Sequence, residues 1–438
     1  MKTLTQKALA TAVATLFIAP AAFATNGTNM TGVGAQSVAM GGTGVAAYYG
    51  AENVIINPAM IGKGTGTEFA FGGTLFKPNV QNNGLNGSNM GNNFETSSGD
   101  TYMIPAISLS SRINNNWSFG LGMYGTSGMG VDYKGKTAGM TLANAQTSLQ
   151  IMRIVPTVAY NTKNAGIGFS PIIQYGALDI HHSIGNGPSG PLPINLQSST
   201  GSGMKSDLGM GFSLGGYFDV SKDFTLGASY TSAINMKYDG QLSSASMPFT
   251  NANPGMGGMA PLGNQPFVDR LEQPAEIKVG AAYTMGNIML TGDFKQIKWG
   301  DAKGYKDFGW QDQNVIALGL KYSGKGYWIG AGYNKADNPI KKFDGNPMTA
   351  GMSAGENATK NFFNNVFFPA TTEQHFSVGG GYDITKNVTL EGAIMYAPEV
   401  STTVDTTALT SSPAGIMNST NTTKHSQMAY TIQAKYKF

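Results

Sequence analysis

Period-two alternation recurs along this chain, which has no apolar run long enough for a membrane helix after its first twenty-odd residues. The last segment is the clearest case. Met428, Tyr430, Ile432, Ala434, Tyr436 and Phe438 fall on one side, and Gln427, Thr431, Gln433, Lys435 and Lys437 on the other. Successive side chains of a strand point to opposite faces, so this segment has one apolar and one wet face. In lipid, only helices and closed barrels leave no backbone polar group unpaired. A transmembrane β-barrel closing on its final strand is therefore expected, with Phe438 as an aromatic terminal signal.

The chain opens with an export signal. Lys2 and Lys7 form a basic start, Ala8 to Ala19 an apolar stretch, and Ala22-Phe23-Ala24 a small-x-small cleavage site. Residues 1–24 are thus expected to be a signal peptide, since a membrane anchor would need ~20 apolar residues. The formal charge of +3 includes Lys2 and Lys7, and no basic run follows, so nucleic acid is not an implied partner. With no cysteine there is neither a disulfide framework nor a Cys-ligated metal site. The 60 glycines are about twice the usual ~7% frequency, which suits tight turns, bent strands and close backbone approach inside a barrel.

Alternation and turn residues mark fourteen strand candidates: 68–78, 103–113, 117–127, 148–162, 165–182, 206–221, 224–240, 276–286, 287–299, 314–324, 326–337, 375–385, 388–399 and 427–438. Short turns such as Lys163-Asn164 and Lys386-Asn387 follow even-numbered strands. Long polar or Gly/Pro-rich loops follow odd ones, among them 79–102, 183–205, 241–275, 338–374 and 400–426. This asymmetry belongs to outer-membrane barrels and places both chain ends on the periplasmic side. Aromatic girdles are expected from Tyr102, Trp117, Tyr160, Tyr217, Tyr238, Trp299, Trp328, Tyr396 and Tyr436.

Residues 25–67 do not read as strand. They are rich in Gly and Ala, with Glu52 as their one acid and Lys63 their first base, too apolar for an exposed tail. Such a segment suits the inside of a wide barrel. Its pattern Gly32-x-Gly34-x-x-Ser37-x-Ala39-Met40-Gly41-Gly42, followed by Asn57-Pro58-Ala59, resembles the N-terminal hatch of the FadL family. Asn116-Trp117-Ser118-Phe119-Gly120-Leu121-Gly122, Gln273-Pro274-Ala275-Glu276-Ile277 and Ala336-Asp337-Asn338-Pro339-Ile340 look similar too. The resemblance implies an all-β, 14-stranded antiparallel barrel over 68–438, plugged by a hatch over 25–67. It also implies transport of long-chain fatty acids or similar apolar molecules: extracellular capture, a lumenal site, and sideways exit where the third strand kinks.

Residues in this chain match each step of that route. Gly125, Gly128 and Gly130 could bend the third strand, or could simply be loop glycines. Phe362, Phe363, Phe367 and Phe368 in the 338–374 loop must either capture cargo or pack among themselves. A cargo carboxylate would seek lumenal bases, for which Arg153, Lys295 and Lys298 are candidates; ion pairs with Asp179, Asp293 or Glu391 are the competing use.

No enzyme site, metal site or cofactor motif emerges. His181, His182, His375 and His425 sit near strand ends and read as surface polar residues. Expected partners are outer-membrane lipid, a hydrophobic small molecule and the barrel-assembly machinery, for a protein acting as a monomer. A general diffusion porin and an adhesive or structural barrel are the alternatives.

Overall fold

Strand pairing forms a ring that closes on itself. The computed structural model describes residues 25–87, 93–136, 144–184, 198–200, 203–249, 265–410 and 418–438, so the expected signal peptide lies outside the described residues. Fourteen long strands build the wall: β1 (Thr67–Asn82), β2 (Tyr102–Arg112), β3 (Trp117–Asp132), β4 (Gln146–Asn161), β5 (Ala165–Ile184), β6 (Lys205–Asp219), β7 (Phe224–Thr231), β8 (Glu276–Met285), β9 (Ile288–Ile297), β10 (Gln313–Gly324), β11 (Tyr327–Ala336), β12 (Gln374–Asp383), β13 (Val388–Asp405) and β14 (Ser419–Lys437). Each pairs antiparallel with the next. The ring closes where β14 meets β1, with Tyr436 opposite Phe69 and Thr431 opposite Thr74. The 14-stranded antiparallel barrel is therefore the fold.

The two faces follow the alternation. On β14, Tyr430, Ile432 and Tyr436 point outward while Thr431, Gln433 and Lys435 are buried inside. Ile432 is 72% exposed, and Leu318, Ile329 and Val378 stand out in the same way on other strands. An apolar band of this extent fits lipid. Phe438 continues the closure: its N–H donates to Thr67 O at 3.0 Å and its ring meets Tyr436 edge-on.

Several sequence expectations need correction. Trp117 and Tyr160 form an outward T-shaped pair with ring centroids 5.0 Å apart, and Tyr396 and Tyr436 are also outward. Trp299, Trp328, Tyr102, Tyr217 and Tyr238 are instead buried, because an aromatic near a strand end serves the interior as readily as the membrane surface. The expected 400–426 loop is largely strand, with β13 reaching Asp405 and β14 starting at Ser419. Its threonines pair across the ladder (Thr403 Oγ1 to Thr422 Oγ1, 2.8 Å), and such a polar strand above the membrane shows no apolar alternation to read. Conversely, β7 leaves the sheet at Thr231, well short of residue 240.

Residues 25–66 thread through the interior. They form a hairpin of Thr25–Asn26 with Asn29–Met30, then α1 (Ala35–Ala39), α2 (Asn53–Ile56) and a 3-10 turn at Pro58–Lys63. Close approach to the wall requires glycine at the points of contact. Gly41, at φ 71°, packs on the backbone of Tyr333, and a Cβ on Gly332 of β11 would overlap the Gly41 nitrogen. Above the wall, α3 (Ala354–Phe367) and neighbouring loops cover the end opposite the short turns.

Replacing Ile432 with Arg would set a charge against lipid. It should destabilise the barrel in urea unfolding from liposomes, by up to about 2–4 kcal/mol, the cost of a basic side chain on the lipid face.

Candidate functional site

Polar side chains on the inner wall take up the backbone of residues 25–66. Ala35 N–H donates to Gln433 Oε1 (2.8 Å), Gly41 N–H to Ser377 Oγ (3.1 Å), and both Gly44 and Val45 N–H to Asp293 Oδ2 (2.8 and 3.0 Å). The strongest anchor is ionic. Lys435, 4% exposed, lies 3.2 Å from Glu52 Oε1 and 3.0 Å from Glu391 Oε2, and donates to Tyr49 O at 2.5 Å. Gln433 also donates to Glu52, and Glu391 accepts from Gln36 and Trp328. Burial pushes the Glu52 carboxyl above the usual carboxylate range; Lys435 opposes this, and the second carboxylate, Glu391, adds to it.

Asn57-Pro58-Ala59 forms a capped turn. Asn57 Oδ1 accepts from Ala59 N–H (3.1 Å), and its amide donates to Val45 O (2.7 Å) and to Gly216 O of β6 (3.1 Å). Any Cβ on Gly168 or Gly215 of the wall would strike this turn. The motif therefore sits against β5 and β6. It does not flank Gly128 and Gly130.

Beside β3 lies Thr28. The ladder between β2 and β3 ends at Ala106 opposite Tyr124, and a bulge at Thr126 breaks the β3–β4 register between Gly125 and Ser127. Beyond Tyr124 the in–out alternation stops and both faces of β3 are buried. Gly128 N–H now donates to Thr28 O at 3.0 Å, Ser127 Oγ to Thr28 Oγ1 at 2.9 Å, and Asn29 pairs with Ser127. Gly125, Gly128 and Gly130 are thus strand residues in an inward bend, and the wall is unpaired between upper β2 and upper β3.

A lumenal cavity of about 80 Å³ adjoins this bend. One side is apolar, from Val33, Val45, Val54, Val155 and Ile172; the other carries Arg153, Glu276, Lys278, Asp293 and Lys295; Thr126 of the bulge also lines it. Glu276 is held by Lys278 (2.8 Å) and by the Asn29 amide (2.8 Å), and Arg153 Nε donates to Gln174 Oε1 (2.9 Å). Among the described residues, Lys295 has no carboxylate within ion-pair distance. Of the three bases expected in the lumen, Arg153 and Lys295 are brought together. Lys298 is not: it pairs with Asp312 at the end of β9, because Trp299 next to it turns into the cap. The competing ion pairs do not form either, since Asp179 meets His181, Asp293 meets backbone, and Glu391 meets Lys435.

The phenylalanine-rich segment is a helix, and its rings pack. Phe362, Phe363, Phe367 and Phe368 are buried with Phe267 and Phe308, and Trp299, Tyr305 and Trp310 adjoin them at centroid distances of 4.6–5.8 Å. Asn364 locks the cap by donating to Phe308 O (2.7 Å) and accepting from Trp310 Nε1 (2.8 Å). Of the two uses open to these rings, packing is the one observed. His182, His375 and His425 are also buried, contrary to the surface reading; His425 Nδ1 meets Pro369 O at 2.7 Å. Sequence inspection missed Lys435, Glu52 and Thr28, although one acid in an otherwise uncharged 25–62 stretch signals a buried partner.

A closed outer-membrane-type barrel with a filled lumen and a broken wall ladder defines a narrow class. The family described as "Outer membrane protein transport protein (OMPP1/FadL/TodX)" matches residues 11–438, and the chain belongs to it. It is 26% identical over 327 residues to the long-chain fatty acid transport protein of Escherichia coli, spanning 67% of this chain and 73% of that one. In fold it is similar to the Pseudomonas putida toluene transporter TodX (TM-score 0.63, 18% identity, 93% of this chain and 99% of that one). A Pseudomonas aeruginosa FadL homologue is similar as well (TM-score 0.67, 14% identity, 94% and 100%). The protein is thus a bacterial outer-membrane barrel of a family that transports hydrophobic compounds.

Lys435→Met would leave Glu52 and Glu391 buried without their cation, a loss of about 3–5 kcal/mol where one partner of a buried ion pair is removed. The barrel should still assemble, while protease access to residues 25–66 and single-channel conductance in planar bilayers both rise.

Proposed function

We propose that the protein captures hydrophobic compounds at its extracellular cap, holds them in the lumenal cavity and releases them sideways beside β3. On this reading residues 1–24 are a removed leader, 25–67 the hatch and 68–438 the transporting barrel. One observation carries it: Thr126, bulged out of the β3–β4 register just beyond the last β2–β3 pair at Tyr124, also lines the lumenal cavity. An apolar cargo gains roughly 25 cal/mol per Å² by leaving water, which a wet pore does not provide. The filled lumen therefore favours this function over a general porin.

The hatch has to move. A cavity of about 80 Å³ is smaller than the ~150 Å³ that accommodates benzene, so even one aromatic ring requires Val33, Val45 or Val54 to give way. Entry would pass the Phe363 and Phe367 cluster, which serves as a lid. The protein needs no cofactor and performs no catalysis on this reading. It works as a monomer in outer-membrane lipid after insertion by the barrel-assembly machinery.

Charge points to an amphipathic cargo. Arg153, Lys278 and Lys295 face Glu276 and Asp293, leaving one surplus positive charge at the apolar cavity. We assign a cargo carboxylate to Lys295, assisted by Arg153. Lys295→Met should weaken binding of a long-chain carboxylate relative to the matched alcohol by about tenfold or more in calorimetry, as expected for a charge-assisted hydrogen bond. An unchanged ratio removes Lys295 from the site.

Exit is tested at the bend. A Cβ on Gly130 would collide with the Tyr102 hydroxyl, so the double variant Gly128→Val, Gly130→Val fills the gap while suiting a regular strand. Cargo binding should persist and whole-cell uptake fall sharply at matched surface levels. Unchanged uptake rules out exit at this place.

A further inference from the structure

The opening beside β3 is not apolar. A second cavity of about 310 Å³ lies there, on the outer face of β3, β4 and β5. The register puts Asp132 beside Gln146 and His181, and Gly130 beside Ser148 and Asp179, all on one face. Lower on β5 the same face carries Ile173 and Tyr175, which are exposed on the lipid side. Tyr102 of β2 closes the cavity from across the gap. The cavity thus opens sideways, out of the wall. Met30, which lines the lumenal cavity, packs against the hydrophobic cluster that contains Tyr102.

Its acids outnumber its bases: three carboxylates face one imidazole. The segment before β2 supplies Asp100, β3 supplies Asp132, and β5 supplies Asp179 with His181 at 2.7 Å; β4 supplies only Gln146, Thr147 and Ser148. Asp132 accepts from the Gln146 amide (2.8 Å) and the Lys134 N–H (2.9 Å), and Thr101 donates to Asp100 (2.9 Å); among the described residues no Lys or Arg forms an ion pair with them. One further group points to a ligand. Tyr102 is 5% exposed, lines the cavity, and has no hydrogen bond to its hydroxyl among the described residues, so it can bond an uncharged polar head. Thr147 lies on the other face of β4, opposite Val131 and Ile180.

We infer that this opening is a charge filter, passing cargo whose polar end is neutral and excluding carboxylates. The inference rests on sideways exit at β3 and adds the selectivity of that step. The surplus cation of the lumenal site holds the anionic form, whereas the three carboxylates of the outlet repel it. A carboxylate cargo leaves only after protonation from the aqueous side: RCOO⁻ plus H₃O⁺ gives RCOOH plus H₂O, a hydronium O–H bond breaking as the carboxyl O–H forms. Tyr102 then receives that neutral head. An alcohol or hydrocarbon passes without this step.

Whole cells or proteoliposomes carrying the full chain are given a long-chain carboxylate and its matched alcohol, both at saturation. The double variant Asp132→Asn, Asp179→Asn should raise the carboxylate-to-alcohol uptake ratio about tenfold, as expected for two like charges removed within a few ångströms of the path. Wild-type protein gives a second reading that no folding defect can confound. Raising ionic strength screens the outlet and should raise the same ratio. A ratio unmoved by both interventions overturns the filter. Tyr102→Trp separates that result from failure of the exit itself: it narrows the opening and should slow both cargoes. If Tyr102→Trp slows them while the ratio stays fixed, the exit stands and the filter falls. If Tyr102→Trp changes neither cargo, the sideways route falls and the filter with it.

Discussion

Backbone hydrogen bonding within lipid is the constraint on which the rest of this structure depends. A barrel satisfies it by pairing every strand with two neighbours, and any break in the ladder exposes costly N–H and C=O groups. The break between upper β2 and β3 is tolerable because another partner is present. Gly128 N–H turns inward and finds Thr28 O at 3.0 Å. The bend thus exists only together with the hairpin at Thr25–Met30, and an opening in the wall is bound to whatever holds or moves that hairpin.

The same hairpin touches much else. Thr28 Oγ1 lies 3.3 Å from the Tyr305 hydroxyl in the cap, Asn29 holds Glu276 at the lumenal cavity, and Gln427 Oε1 of β14 receives the Thr25 N–H at 3.2 Å. Cap, cavity and bend therefore share one small, glycine-bearing element. Displacement of the hairpin by cargo would be felt at all three, a physical link that does not require any long-range rearrangement of the wall.

Inside, polarity is spent on holding. Gln433, Ser377, Asp293 and Lys435 each bind backbone or charge of residues 25–66, and unpaired burial of such groups would be destabilising. The region near Lys295 departs from this pattern, with charge lining a cavity instead of an anchor. That contrast, within one lumen, is what separates a candidate binding site from a structural fill.

Much was legible from the sequence because strand parity is a local property. Alternation in Gln427–Phe438 assigned Ile432 to lipid and Lys435 to the interior, and the short turns set strand number and orientation. Glycines at 125, 128 and 130 marked where β3 could bend. Parity cannot say what an inward side chain meets across the lumen, so Lys435 could not be matched to Glu52, nor Thr28 to Gly128. It was equally silent on the Phe-rich segment, where four exposed rings and four packed rings have the same local sequence. Local backbone geometry, dictated residue by residue, made this chain a barrel. Which interior groups are paired and which left facing a cavity was decided by tertiary closure, because contacts between residues hundreds of positions apart exist only once the ring has formed.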